Sequence, residues 1–361
     1  MILLAQLKVN GYIESQIALE QNPLRNPSSL ILEEEEDELE VEGLTPIAFL
    51  SYKKLYLTTQ YKWKKASLGL RPKVSYYYYP ELEEANFLKA DIEQFFNLKW
   101  NKRWKIYEKM LFRKSQRSGA DVTEELFSLP RSYNRFQALL GVEYKFARRW
   151  NARLESRFMK NTFLTEEEMS NYYNAMNVNM KLKRSFKKKH WLNDSSLDIK
   201  WQHRNWIREQ LVEEDEWNFK EITMAYWSIN WEISMDIIAQ LTWKPFIEWG
   251  GRNASNNNQS WQAWKTGFGL NWTVKKWNLN WKASIANRMF DAFRPDLEMQ
   301  NPLNYWYFRN NLSVAFNATD RLSLLLTLRT INRRSNFEDD TRLANRAYQT
   351  KYLGLGLKFR F

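Results

Sequence analysis

The dominant pattern in this chain is a strict alternation of apolar and polar residues. Leucine occupies positions 322, 324, 326 and 328 in LSLLLTLRT, and the segment WNLNWKASIANRM alternates in the same way from Trp277 to Met289. A period of two residues predicts β-strands whose two faces meet different surroundings, whereas patterns with the helical period are nearly absent. The sequence therefore predicts an all-β protein.

The alternation extends over most of the chain and predicts about sixteen strands, although fourteen or eighteen also fit the pattern. The expected strands lie near residues 5–20, 50–65, 67–79, 87–100, 103–114, 133–147, 151–164, 171–186, 196–208, 217–233, 235–249, 260–274, 277–290, 304–317, 321–333 and 347–361. Strands in soluble sheets have about 5–6 residues, and a strand that crosses a bilayer at a tilt needs about 9–11. Most of the predicted strands are long enough to span a membrane.

Short and long connections alternate between these strands. The short ones are KKAS, NKR, RRWN, SMD, KKWN and NATDR, with KKKHWLNDSS somewhat longer. The long ones are NPLRNPSSLILEEEEDELEVEGLTP, PELEEAN, SQRSGADVTEELFSLPRS, EQLVEEDE, GRNASNNNQS, FRPDLEMQNPL and SNFEDDTRLANR. This order is typical of a transmembrane up-and-down barrel with short periplasmic turns and longer extracellular loops. Pro245 lies inside a predicted strand, where its missing N–H should break the ladder or mark a bulge.

Composition alone suggests a soluble protein, in contrast to the membrane barrel that the strands and connections predict. The 361 residues carry a net charge of +12 and a mean hydropathy of −0.65, values typical of a soluble basic protein. No apolar run approaches the ~18 residues of a membrane helix. A barrel strand alternates lipid-facing and lumen-facing residues, so its mean hydropathy can be low. Composition excludes a membrane helix and leaves a membrane barrel open.

Aromatic residues support the membrane interpretation. They make up 16% of the chain, which contains 18 Trp. Their amphipathic rings favour the level of the lipid headgroups, where they form two girdles around a barrel. Tryptophans near the ends of predicted strands are Trp100, Trp104, Trp150, Trp231, Trp249, Trp261, Trp272, Trp277 and Trp306.

Cysteine is absent and only two histidines occur, which argues against disulfides, thiolate metal sites and most histidine-based catalysis. His190 lies in a basic turn and His203 on the apolar stripe, neither with a partner at a motif spacing. We expect no enzymatic activity and no cofactor. The basic charge follows the strand alternation and the turns rather than one patch, so we expect no nucleic-acid partner.

The chain ends on an alternating apolar segment, YLGLGLKFRF, without a polar tail. Its pattern consists of Leu353, Gly354, Leu355, Gly356, Leu357, Phe359 and Phe361. This ending resembles the C-terminal signal of bacterial outer-membrane β-barrels, and the chain as a whole resembles such a barrel. The resemblance implies a location in the bacterial outer membrane, contact with its lipid and lipopolysaccharide, and recognition of the last strand by the outer-membrane assembly machinery. In a closed barrel the last strand pairs with the first, so no free edge remains.

Residues 1–361 are expected to form one barrel domain. The opening MILLAQ fits either the remainder of an export signal or the start of a strand. Residues 21–46 are expected to be an acidic extracellular loop around LEEEEDELEVEG. This run is either a solvated surface loop, a segment folded inward against a basic wall, or a divalent-cation site, although it lacks the ligand spacing of a calcium loop.

The polar stripe opposite the apolar one should face the lumen and is rich in cations. The basic residues expected there are Lys54, Lys62, Arg71, Lys73, Lys89, Lys105, Lys109, Arg113, Arg135, Arg157, Lys181, Lys183, Lys200, Arg204, Lys282, Arg288, Arg309 and Arg329. Cationic walls favour anions in pores, which suggests a diffusion channel for small anionic solutes. Alternatively, these charges only solvate the wall and pair with acids. A second function also fits: a barrel subunit of a larger outer-membrane complex with a filled lumen and protein partners. Homo-oligomers are compatible with both functions.

Overall fold

The computed structural model describes residues 6–22, 30–34, 37–41, 47–82, 85–117, 132–164, 171–186, 191–213, 216–255, 259–294, 301–336 and 347–361. Eighteen strands lie in these ranges. They are β1 Gln6–Gln21, β2 Leu30–Glu34, β3 Asp37–Val41, β4 Ile47–Lys62, β5 Ala66–Tyr78, β6 Phe87–Lys99, β7 Trp104–Arg117, β8 Ser132–Ala147, β9 Trp150–Leu164, β10 Asn171–Ser185, β11 Leu192–Glu213, β12 Glu216–Ile238, β13 Leu241–Ala254, β14 Trp261–Val274, β15 Trp277–Phe290, β16 Asn304–Asn317, β17 Leu322–Ser335 and β18 Tyr348–Arg360.

Sixteen of the strands form one closed antiparallel barrel, in which each strand pairs with its neighbours along the chain and β18 pairs with β1. The remaining two, β2 and β3, form a separate hairpin. The predicted all-β barrel of sixteen strands is confirmed. No helix among the described residues has the length and apolar character needed to cross a membrane.

The alternation seen in the sequence separates the two faces of the barrel wall. Large apolar side chains at every second position are exposed on the outside, as β18 shows with Leu353, Leu355, Leu357 and Phe359, each 45–56% exposed. Soluble monomers rarely expose contiguous apolar surface of this extent. A lipid-facing barrel exterior requires it.

The seam between β1 and β18 closes the barrel down to the last residue. The two strands pair from Tyr12↔Arg360 to Gln21↔Lys351. Beyond β18, the Phe361 amide donates to the Gly11 carbonyl at 3.1 Å, and the Gly11 amide donates to the Phe361 carbonyl at 3.0 Å. The C-terminal residue is therefore held in the ladder.

Glycines at the seam make room for larger side chains. A Cβ atom on Gly11 would lie 2.7 Å from the Phe361 ring and from Leu57, so the terminal ring occupies the notch left by the missing side chain. On the inner face, Gly354 and Gly356 lie under Tyr352 and Gln16 in the same way. These close approaches explain why glycine stands at these positions.

Two connections differ from their predictions. The turn expected at SMD, residues 234–236, is instead at Ala239 and Gln240, because β12 continues through this segment with a register shift near its end. The connection EQLVEEDE is not a long loop: β11 and β12 extend to Glu213 and Glu216 and pair up to that point. An antiparallel hairpin can continue its own ladder after its neighbours end.

The long hairpin forms a ribbon above the barrel wall. β10 pairs with β11 only as far as Asn171↔Arg208, and β13 pairs with β12 only as far as Met224↔Ala254. Thr223 still accepts a backbone hydrogen bond from the Ser255 amide at 2.9 Å. In the described part of the chain, the hairpin residues beyond it pair only with each other. We call residues 209–213 and 216–222 the β11–β12 ribbon.

The remaining predictions about the backbone concern Pro245, the acidic segment and residues 1–5. Pro245 interrupts the ladder as predicted, since the pairing of β12 with β13 skips from Glu232↔Phe246 to Met235↔Trp243. The acidic segment contains the hairpin β2–β3, which the sequence did not predict. How its side chains lie, and how residues 1–5 are arranged, falls outside the described residues.

The seam notch gives a testable prediction. We expect Gly11→Ala to destabilise the folded barrel by about 1–3 kcal/mol, because the added methyl overlaps the Phe361 ring and Leu57. The measurement is the urea midpoint of the purified barrel, read from its heat-modifiable migration on gels. Gly269→Ala is the control, since the nearest atom to its Cβ would be 3.8 Å away. Equal urea midpoints for Gly11→Ala, Gly269→Ala and the unmodified chain would show that Phe361 and Leu57 leave room for a methyl group at Gly11.

Candidate functional site in the barrel lumen

The inward face of the wall carries the candidate site. In each strand, the positions alternating with the exposed apolar residues point into the barrel. All eighteen basic residues expected to face the lumen occupy such positions, as their cross-strand partners show. In β6 and β7, for example, Asp91 lies opposite Arg113, while the exposed Ile92 lies opposite the exposed Phe112.

On the wall built by β5 to β10, three inward arginines are paired with acids. Arg71 lies 2.7 Å from Glu93. Arg113 makes two hydrogen bonds to Asp91, of 2.7 Å from Nε and 3.1 Å from Nη2. This bidentate geometry is the strongest form of an arginine–carboxylate contact.

A third network on the same wall is centred on Glu155. Its carboxylate accepts hydrogen bonds from Arg153, from the Tyr107 hydroxyl at 2.9 Å and from Asn179 at 3.2 Å. The Tyr107 ring lies against Gly141, where a Cβ atom would be 2.1 Å from the ring. The glycine lets the ring lie flat on the wall and keeps it out of the lumen.

On the opposite wall, arginines stack on aromatic rings. The guanidinium carbon of Arg288 lies 4.5 Å from the ring centroid of Trp261 and 5.4 Å from that of Tyr307. Arg309 lies 5.2 Å from the same Tyr307 ring, and Arg252 lies 5.7 Å from Trp261. Stacking leaves the arginine charge intact and fixes the position of the guanidinium.

Two large recesses open along the inner wall. The first has a volume of about 580 Å³ and spans β8 to β16. The second, of about 620 Å³, spans β12 to β17. Arg309 and Lys265 line both recesses, which are therefore neighbours along one side of the lumen.

The recesses bring together only part of the predicted basic set. The first contains Arg135, Arg157, Lys200, Arg288 and Arg309. The second contains Lys282, Arg309 and Arg329. Two smaller recesses contain Lys62, Arg71, Lys105 and Lys109. The residues that line none of these four are Lys54, Lys73, Lys89, Arg113, Lys181, Lys183 and Arg204.

Sequence reasoning missed the apolar inner face near the long-connection end of the barrel. Leu50, Tyr305 and Met224 belong to three buried clusters there. Connecting segments contribute as well, since Leu82 and Leu303 pack into two of these clusters. One signal was present: IAFL, residues 47–50, is apolar at both parities, which is typical of a strand end covered on both faces.

One of the tryptophans assigned to the outer girdle points inward. Trp261 pairs with Arg252 and Phe290, both inward-facing, and lines the first recess. The girdle assignment was wrong at this position. The segment WQAW, residues 261–264, offers a tryptophan on each face, so alternation alone does not decide which one meets lipid.

Near the long-connection end, a hydrogen bond joins β1, one strand of the β1–β18 seam, to the connection that follows β5. The Tyr79 hydroxyl, just beyond β5, donates to Glu20 at 2.7 Å. Burial, followed by the Glu20 charge, raises the pKa of Tyr79, so the hydroxyl keeps its proton and remains a donor at neutral pH. Glu20 is also 3.6 Å from Arg329, which lies over the Tyr352 ring.

His203, the histidine that the structure describes, does not lie in an arrangement that resembles an active site. His203 is on the outward face and stacks on Trp201, with ring centroids 6.0 Å apart. His190 lies outside the described residues. Across the described ranges, no group of three or more His, Asp or Glu side chains is placed to hold a metal ion.

Comparisons with known proteins return fold neighbours only. No protein-family model and no curated protein sequence matches the chain. Among solved structures it is similar to OmpT of Vibrio cholerae, with 9% identity over 99% of this chain and 98% of that one and a TM-score of 0.48. It is also similar to OccK3 (OpdO) of Pseudomonas aeruginosa, with 8% identity over 98% and 95% and a TM-score of 0.49. A third is OprB of Pseudomonas putida, with 8% identity over 98% and 94% and a TM-score of 0.49.

The architecture itself defines the class. An even number of antiparallel strands, full closure, a polar inner face and an apolar outer face are the features of single-chain bacterial outer-membrane barrels. In lipid, only a helix or a closed barrel satisfies every backbone hydrogen bond. The molecule therefore has the architecture of an outer-membrane β-barrel.

The ion pairs of β5 to β7 give a second prediction. We expect Asp91→Ala to destabilise the barrel by about 2–3 kcal/mol, somewhat less than the ~3–5 kcal/mol of a fully buried pair, because Arg113 keeps its charge in a largely buried site. Glu93→Ala removes the more exposed pair with Arg71 on the same strand and should cost about 1 kcal/mol or less. Urea midpoints measure both. A Glu93→Ala effect as large as that of Asp91→Ala would show that burial does not set the difference.

Proposed function

We propose that the barrel is an outer-membrane channel for the passive or facilitated diffusion of small anionic solutes through a basic lumen. The observation that carries the proposal is the charge of the two large recesses. The first is lined by six basic residues and two acids, and the second by five basic residues and one acid. The acids are Glu155 and Glu248 in the first and Glu232 in the second.

Several of these cations have no carboxylate close enough to neutralise their charge. In the described part of the chain, neither Lys282 nor Arg309 has an acid within ion-pair distance. Lys265 is 3.8 Å from Glu248, at the outer limit for such a pair. The Glu155 carboxylate already accepts hydrogen bonds from Arg153, Tyr107 and Asn179. A narrow passage with low-dielectric walls focuses the field of such charges and enriches counter-ions.

The placement of the cations supports passage rather than one tight site. Arg288 and Arg309 are held by the rings of Trp261 and Tyr307, so their guanidinium groups stay at the wall when no anion is present. Because Arg309 and Lys265 line both recesses, an anion that leaves one meets the cations of the next. Conduction requires several sites that bind weakly enough to release the ion.

A second candidate function has its own observation. The β11–β12 ribbon rises above the barrel wall, and in the described part of the chain its outer backbone edges pair with no further strand. An open edge is a place where a partner chain can add a strand. This favours a barrel subunit of a larger outer-membrane complex, which would co-purify with a stoichiometric partner in mild detergent and lose it when residues 209–220 are deleted.

The expected contacts with lipopolysaccharide, and with the assembly machinery through Gly354, Gly356, Leu357, Phe359 and Phe361, stay predictions. The outward orientation of Leu357 and Phe359 in β18 supports the second of these, because the apolar stripe is continuous up to the chain end. Catalysis is not part of the proposal.

Ion selectivity tests the channel function. In planar bilayers under a salt gradient, we expect a reversal potential that reports anion preference. The triple variant Lys265→Glu, Lys282→Glu and Arg309→Glu should shift the reversal potential towards cation preference, because it inverts the charge of both recesses.

The matched control reverses three charges on the outer face. Lys114→Glu, Lys160→Glu and Arg334→Glu involve the same residue types on outward positions near the long-connection end. This variant should leave the reversal potential unchanged. Cation preference of the unmodified chain, or an absence of open-channel current, would overturn the anion channel.

A further inference from the structure

A recess lined by lysines opens at the short-turn end of the barrel, opposite the long-connection end. It has a volume of about 320 Å³ and is formed by the end of β4, the turn to β5, the end of β6 and the start of β7. Its lining contains no acid and five lysines, which are Lys62, Lys64, Lys65, Lys99 and Lys105. In the described part of the chain, none of the five has a carboxylate within ion-pair distance.

Three of these lysines lie side by side in one cross-strand row. Lys99 in β6 pairs with Lys105 in β7, and the Lys99 amide donates to the Lys65 carbonyl at 2.7 Å. This bond continues the register of β5 and β6, whose last pair is Ala66↔Leu98. Residues opposite each other in an antiparallel ladder are about 5 Å apart, so Lys65 and Lys105 are about 10 Å from one another with Lys99 between them. Flexible four-carbon stems at this spacing can bring three ammonium groups to one small anion.

No acid neutralises this row. Glu143 in β8 lies opposite Lys105, but its carboxylate accepts a hydrogen bond from Asn151 at 2.6 Å and is not at ion-pair distance from Lys105. The Lys105 ammonium is 5.5 Å from the centroid of the Tyr107 ring, a contact that leaves its charge intact. Like charges directly opposite each other in a sheet are destabilising. An anion bound between Lys99 and Lys105 would remove that cost.

We propose that this lysine recess binds a phosphate group, carried by a soluble phosphate monoester or by a phospholipid. The site goes beyond the proposed channel function, since a barrel that conducts nothing would still hold these lysines together at its short-turn end. Lys64, Lys65 and Lys99 are exposed, so the recess is open to a ligand from outside the barrel.

The type of cation selects phosphate over carboxylate. All five basic residues of this recess are lysines, whereas four of the six in the first large recess are arginines. The guanidinium fork matches a planar carboxylate with two parallel hydrogen bonds, while the lysine ammonium is a compact point charge with three donors. A tetrahedral group with two charges on one centre can be shared by several such ammonium groups. Its oxygens can also accept from the neutral donors in the lining, Gln60, Ser67 and Asn97.

Isothermal titration calorimetry on the full chain tests the ligand class, in phosphate-free buffer and in dodecyl maltoside, a detergent without phosphate. Methyl phosphate carries nearly two charges on one centre at neutral pH, because its second pKa is about 6. Malonate carries two charges on separate carboxylates, and acetate carries one. We expect methyl phosphate to bind about tenfold or more tightly than acetate and about threefold or more tightly than malonate.

The double variant Lys99→Gln, Lys105→Gln locates the site. It should weaken methyl phosphate binding about tenfold or more. It should also raise the urea midpoint of the ligand-free barrel, because it removes the repulsion between two opposed lysines. The matched control, Lys275→Gln with Lys276→Gln, removes two lysines from the turn between β14 and β15, at the same end but outside the recess. This control should bind methyl phosphate as the unmodified chain does.

A titration with dihexanoyl phosphatidic acid distinguishes the two sources of phosphate. This short-chain lipid carries the same phosphate monoester. Tighter binding than that of methyl phosphate, lost in Lys99→Gln, Lys105→Gln, supports the recess with a phospholipid as its ligand. Equal binding supports it with a soluble monoester. If that variant does not fold, Lys64→Gln with Lys65→Gln replaces it, since both residues lie in the exposed turn of the recess.

The remaining outcomes overturn the inference. Acetate or malonate binding as tightly as methyl phosphate overturns the preference for phosphate, and so does an absence of methyl phosphate binding. Full affinity in the recess variant, or an equal loss in the Lys275→Gln, Lys276→Gln control, overturns the recess as the site. Failure of the channel proposal is distinguishable from all of these, because calorimetry reports binding whether or not the lumen conducts.

Discussion

Closure of the backbone ladder is the constraint on which the rest of this structure depends. Lipid offers no hydrogen-bond partners, so a sheet within it has to pair every strand, and sixteen strands do so here only because β18 returns to β1. The seam is continuous to the last residue, where Phe361 exchanges two backbone hydrogen bonds with Gly11. The notch at Gly11 and the inner notches at Gly354 and Gly356 allow bulky neighbours to lie against this join.

Closure also fixes which residues meet inside the lumen. A shift of one residue in any pairing would turn every side chain of that strand to the other face. With the register fixed around the ring, residues far apart in the chain form inward rows. Lys200 and Arg288 are separated by three small residues of the intervening strands, and this row lines the first recess. A strand pattern by itself carries no information about such rows.

This distinction explains how much the sequence could predict. Strand number, strand positions and the facing of the eighteen basic residues follow from alternation within each strand, which is a local property. The length of β11 and β12 was not predictable in this way, because it depends on two segments pairing with each other after their neighbours have ended. Trp261 was misassigned because WQAW presents an aromatic ring on both faces. The pairing of Arg113 with Asp91 depends on register and was out of reach of strand patterns.

The inward arginines make two kinds of contact, with carboxylates and with aromatic rings, and both bear on the proposed anion path. On β5 to β10, Arg71, Arg113 and Arg153 are each bound to a carboxylate, so their charge is largely compensated and their main effect is on stability. On β13 to β16, Arg288 and Arg309 contact aromatic rings, which hold a guanidinium in place without neutralising it. In the described part of the chain, cations without a carboxylate at ion-pair distance occur on the first side as well, as Lys109 and Arg157 show. On the second side, Lys282 and Arg309 line recesses that small residues open in the wall, so charge and space coincide there, as a solute path requires.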